Sequence, residues 1–123
     1  MIKNILLVGI GGFTGSIARY LVYVFIEKRL TSYFPLSTFV VNIMGSLILG
    51  IIAALVFKNH INESMRLLLA IGFCGSFTTF STFAYENLQL LNQKPLMALS
   101  YTAASLVLGI FLTYCGFELG KQF

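Results

Sequence analysis

Four long apolar runs constrain this chain more than anything else in it. They lie at about 4–26, 36–57, 67–91 and 96–118, and only short polar joints separate them. The joints are Glu27-Lys28-Arg29, then Lys58 to Glu63, then Asn92-Gln93-Lys94-Pro95. Each run matches or exceeds the ~20 residues a helix needs to cross the hydrocarbon core of a bilayer. Charged residues make up only 10% of the 123 positions, against about 25% in a soluble domain. The expectation is an all-α membrane protein: one four-helix transmembrane domain over residues 1–123. Pro35 and Pro95 stand just ahead of the second and fourth runs, where the missing N–H of proline does little harm. Four helices make a thin bundle, so a second copy is expected to complete the packing.

The basic residues are spread evenly. Lys3, Lys58, Arg66 and Lys121 fall on one side of the expected membrane, and Lys28, Arg29 and Lys94 on the other. Arg19 lies inside the first run, nearer the second side. Orientation follows the Lys and Arg bias of the loops, and here that bias is close to zero. The inference is insertion in both orientations, which permits an antiparallel, dual-topology homodimer. The net charge of +4 does not suggest nucleic acid, because the bases sit singly at the ends of apolar runs and form no cluster.

The polar residues inside the runs are ordered. In the second run Thr38, Asn42 and Ser46 recur every fourth position, on one helix face. In the fourth, Tyr101, Ser105 and Gly109 do the same. The third run holds "GFCGSFTTFSTF", residues 72–83, with two glycines, five hydroxyl residues and four phenylalanines. Glu86 and Asn87 follow it. Polar groups at membrane depth are costly and default to functional hypotheses. A single Ser or Thr can satisfy itself on its own helix, but the Asn42 amide would cost several kcal/mol facing lipid. These groups are uncharged O–H and N–H donors, a lining suited to a small anion or to water. Phe80 and Phe83, three apart, share a helix face, and the positive edge of an aromatic ring can stabilise an anion. Phe73 and Phe77 read as core packing.

Other motifs dissolve on inspection. Gly9, Gly11, Gly12 and Gly15 miss the G-x-G-x-x-G spacing of a dinucleotide site. Gly11 and Gly15 give G-x-x-x-G, which lets membrane helices approach closely. Arg19, at the end of that face, reads as a structural charge that bonds carbonyls or an anion. Cys74 and Cys115 lie far apart and His60 has no partner histidine, so the thiols read as inert and no side-chain metal site is expected. The N-terminal "MIKNILLVGIGG" lacks a clean cleavage site and reads as a retained first helix.

The run "GFCGSFTTFSTF", the four short spans, the asparagine of the second helix and the early "GGFTGSIARY" together resemble the CrcB/Fluc fluoride channels. The likeness covers the whole chain in length and order. It implies a passive channel exporting cytoplasmic fluoride across the bacterial plasma (inner) membrane, with two pores in an antiparallel homodimer. It also implies an interrupted third helix. At that interruption the backbone carbonyls of Gly75 and Thr78 from both subunits would hold a structural Na+. Phe80 and Phe83 would line the fluoride path with their edges, and Asn42 would be the amide donor beside them. Ser81, Thr82, Tyr101 and Ser105 would extend a polar track. Arg19 and Thr38 would be vestibule or structural residues, and Glu86 would sit near one pore end.

Two rivals make distinct demands. A small multidrug-type cation/proton exporter needs a carboxylate within the first helix, and the first acid here is Glu27, at its end. An assembly protein would use the polar faces only as glue. An enzyme is not expected, since no nucleophile and base converge. The charge balance predicts a direct result: a His60→Cys reporter, with Cys74 and Cys115 replaced by Ala, is labelled from both faces of the membrane. Labelling from one face alone rejects dual insertion.

Overall fold

The computed structural model describes all 123 residues and is entirely helical. Helix α1 runs over Ile2–Glu27 and α2 over Leu36–Phe57. The third span is built in pieces. A short α3, Glu63–Arg66, continues into a π-helical stretch over Leu67–Cys74 and then α4, Gly75–Phe77. After a break at Thr78–Thr79 the chain resumes as α5, Phe80–Gln93, followed by α6, Pro95–Gly120. The four spans, Glu63–Gln93 counted as one, are each long and apolar enough to cross a membrane.

Local chemistry sets the ends. Asn62 caps α3 by accepting from the Met65 N–H at 3.0 Å, and Glu63 pairs with Arg66 one turn on. Thr79 caps α5 by accepting from the Thr82 N–H at 3.2 Å. Such side chains take up donors that the first helical turn leaves orphaned. Pro95 opens α6, where its fixed φ suits a first helical residue.

The spans pair unequally. α2 lies along α6 in the most extensive interface, and α1 lies along the π-helical stretch and α4. α5 leaves α1 and packs on α6 instead. The break therefore lets one span serve two neighbours: its first half completes the α1 layer and its second half the α2–α6 layer. Glycine permits both contacts. A Cβ at Gly15 would run into the Phe73 carbonyl, and one at Gly50 into the Thr113 carbonyl. The Gly11/Gly15 spacing is thus a packing device.

Few side chains are enclosed. Val41, Ala54, Phe77, Ala98 and Tyr101 are buried, while Phe13, Tyr20, Ile110, Phe111 and many other large apolar groups face outward. In lipid such exposure carries no penalty, because the acyl chains are as apolar as the side chains. Close backbone contact then matters more than hydrophobic burial. Gly15→Val should lower the unfolding free energy by about 1–3 kcal/mol through overpacking. Gly9→Ala, built into open space, should be neutral or slightly stabilising. Thermal unfolding in detergent, followed by helical circular dichroism, checks the pair; equal melting of both variants would remove the close-packing role.

Candidate functional site

The site is organised by the break. Thr78 (φ −83°, ψ 159°) and Thr79 (φ −151°, ψ 115°) are extended. An extended residue inside a span leaves peptide groups without helical partners, and lipid offers none. Asn42 on α2 supplies them. Its Oδ1 accepts from the Thr79 N–H at 2.8 Å, and its Nδ2 donates to the Thr79 carbonyl at 3.1 Å. One side-chain amide thus brackets one residue's whole backbone polarity. Thr78 turns back on the helix it leaves: its N–H and its hydroxyl both donate to the Cys74 carbonyl, at 3.0 and 2.9 Å. Arg19 on α1 reaches the Thr78 carbonyl with Nη1 at 3.5 Å.

Within the segment expected to be interrupted, the break falls at the threonines. Gly75 keeps helical angles (φ −61°, ψ −30°), and the chain opens at the two threonines. β-branched threonine is at home in extended backbone, and Asn42 lies opposite to receive it. The consequence reaches Gly75 all the same. In an unbroken helix the Thr79 N–H would bond the Gly75 carbonyl; here it bonds Asn42, so that carbonyl is released. Gly75 is exposed on the surface of the chain. It borders an open concavity of about 300 Å³, which Asn42, Ser46, Cys74, Thr78 and Phe80 also line.

Phe80 begins α5 and stands 78% exposed beside this concavity. Its ring centroid lies 5.8 Å from that of Phe83, and the Phe83 ring lies 5.0 Å from that of Tyr101. A row of three rings therefore leads from the open concavity to the buried tyrosine. Ser81 is exposed with its hydroxyl 3.4 Å from that of Thr79, and the Thr82 hydroxyl accepts from Thr79 at 3.0 Å. Both hydroxyls therefore gather around the cap of α5. Ser46 is spent locally, donating to the Asn42 carbonyl at 2.7 Å.

A second polar layer lies farther along. Thr38 donates to Glu86 Oε1, and Tyr101 donates to Glu86 Oε2 at 3.0 Å. Tyr23 of α1 lies 2.5 Å from the Thr38 hydroxyl. Groups from all four spans meet here. Glu86 is more deeply engaged than its place toward the end of a span suggests. One turn past Tyr101, the Ser105 hydroxyl is buried and has no hydrogen-bond partner.

Thr38, Asn42, Glu86 and Tyr101 fall within this pair of layers, as do Phe80, Phe83, Ser81 and Thr82 around the α5 cap. Arg19 joins through the Thr78 carbonyl. The Thr79 cap has a recognisable signal in the sequence, a threonine three positions ahead of a helical N–H. Tyr23 and the Thr102–Asn87 bond of 2.9 Å have none.

Residues 6–117 match the family described as CrcB-like protein, Camphor Resistance (CrcB). The chain belongs to this family. A CrcB relative from Gloeothece citriformis is 48% identical over 124 aligned residues, covering 97% of this chain and 98% of its own. One from Phocaeicola vulgatus is 47% identical over 109 residues, covering 88% and 90%. One from Chlorobaculum tepidum is 45% identical, covering 98% and 97%. All three are named fluoride-specific ion channel FluC, the name of a channel and not of an enzyme. With its four apolar spans, this CrcB chain is a multi-pass membrane protein.

The Asn42 clamp is open to measurement. Asn42→Leu keeps the bulk but leaves the Thr79 N–H and carbonyl unpaired, which should lower stability by about 2 kcal/mol or more. Thermal unfolding reads it, and an unchanged melting curve would mean that the break is held by other contacts.

Proposed function

We propose that this protein is a fluoride-selective passive channel that lets cytoplasmic fluoride leave the cell down its electrochemical gradient. The carrying observation is the near-full-length likeness to relatives named fluoride-specific ion channels. The surroundings of the break suit that ion. Fluoride is small and strongly hydrated, so a path for it must replace water with close donors. Hydroxyl and amide groups and the rings of Phe83 and Tyr101 stand along the α5–α6 contact. Ser105 keeps a buried hydroxyl with no internal partner, free to serve a passing ion. Asn42 donates only one of its two amide protons to Thr79, and the other remains for an anion. In this reading Phe80 and Phe83 line the path. Ser81, Thr82, Tyr101 and Ser105 extend it, Thr38 and Glu86 lie toward one end, and Arg19 has a structural part through the Thr78 carbonyl.

The working unit would be an antiparallel, dual-topology homodimer with two pores, in the bacterial inner membrane. Support comes from the balanced loop charges and from the open concavity beside Gly75 and Phe80, which a second copy would close. A structural Na+ at the two-fold axis fits the donor set. Gly75 offers a carbonyl freed from its helix, and peptide carbonyls are hard oxygen ligands. Arg19 already engages the Thr78 carbonyl from the α1 side, so a cation there would use the second acceptor site of that oxygen. Such an ion would offset the repulsion between anions in the two pores.

An exporter of cations fits less well. Glu86 is the carboxyl group set inside the bundle, and both its oxygens already accept hydrogen bonds. In α1 the only acid is Glu27, its last residue.

Liposomes loaded with potassium fluoride, bearing the purified protein and treated with a potassium ionophore, should release fluoride rapidly to an external electrode. Phe80→Ile and Phe83→Ile should each slow that release at least tenfold with the dimer intact. Release no faster than from protein-free liposomes would sink the channel reading. Unchanged rates in both variants would reject the ring-edge role alone.

A further inference from the structure

Tyr23 is the one member of the Glu86 network to which no role attaches so far. The number of protons settles what it does. Glu86 as a carboxylate can only accept, so the Thr38 hydroxyl gives its single proton to Oε1. The 2.5 Å contact between Tyr23 and Thr38 must therefore run the other way, with the Tyr23 O–H donating to Thr38 Oγ1. Tyr101 donates to the remaining oxygen, Oε2. The result is an ordered line in which Tyr23 points at Thr38, Thr38 at Glu86, and Tyr101 at Glu86 from the opposite side. Tyr23, Thr38 and Glu86 also line one pocket of about 130 Å³, bordered by Glu27 and Ser32 at the α1–α2 joint.

We infer that Tyr23 is a positioning residue: by donating to Thr38 it fixes the direction of the Thr38 proton, and through it the orientation of the Glu86 carboxyl group. A threonine hydroxyl on a helix otherwise has an easy alternative, donation to a carbonyl one turn back. An incoming donor at Oγ1 blocks that alternative, because it occupies the acceptor side and leaves the proton to face Glu86. Donor chains of this kind also strengthen one another. Tyr23 makes no hydrogen bond to Glu86 itself, so the hydrogen-bonded path from it to the carboxyl group runs through Thr38. The consequence for transport rests on the fluoride-channel reading; the link to Glu86 does not.

The test uses the full chain in lipid bilayers, 13C-labelled at glutamate, with the Glu86 carboxyl resonance identified by its loss in Glu86→Gln. Tyr23→Phe, which removes only the hydroxyl, should move the Glu86 resonance. In a Thr38→Val background it should move it no further, and in Thr38→Ser, which keeps the hydroxyl, the shift should return. In the liposome assay Tyr23→Phe should slow fluoride release about fivefold, the size of effect expected for one hydrogen bond. A Glu86 resonance that ignores Tyr23→Phe overturns the inference, as does an equal shift with and without the Thr38 hydroxyl. Should the resonances behave as described while the unsubstituted protein releases no fluoride, the channel reading fails and the Tyr23 link stands.

Discussion

The amide of Asn42 against the peptide of Thr79 is the contact on which the rest depends. Water cannot repair an open helix at membrane depth, so a break survives only where something else takes both its N–H and its carbonyl. Asn42 takes both. Because it does, the third span can change neighbours midway, lying first on α1 and then on α6. It also frees the Gly75 carbonyl and sets Phe80 at the start of a new helix, beside an open concavity. A purely apolar residue at position 42 would favour a continuous helix and would close all of these options together.

The second layer follows from the first. α5 reaches α6 only because the span has broken, and this contact brings Glu86 to Tyr101 and Phe83 to the same ring. On α2 the residue that answers Glu86 is Thr38, one turn before Asn42. One face of α2 thus holds the break with one residue and the buried carboxyl group with another. The polar groups are gathered where helices face each other, while the outward surface stays apolar. This is the arrangement a bilayer demands of a chain that must carry something through it.

Much of this was legible beforehand. The four spans follow from the hydropathy of the runs, and "GFCGSFTTFSTF" marks the irregular segment without any structure. The every-fourth spacing of Thr38, Asn42 and Ser46 correctly puts them on one face, yet their fates differ: one meets Glu86, one clamps the break, and one bonds its own helix. Spacing along a helix says which residues point the same way; it is silent on what lies opposite. Gly75 is a weak helix former by itself, but the chain opens where Asn42 can pair with it, and Asn42 lies 37 positions from Thr79 in sequence.

By itself, then, the sequence determined the class of protein, its four crossings, the even charge at its two ends and the segment where regular structure fails. These rest on composition and on local periodicity, which lipid thickness and backbone satisfaction turn directly into helices. Tertiary structure alone decided that the chain opens at Thr78 and Thr79, that Arg19 reaches a carbonyl of the break, and that Tyr23 stands behind Thr38. Each depends on a hydrogen bond between spans. Such bonds are chosen by which helices the glycines allow to come close, and no local pattern records that choice.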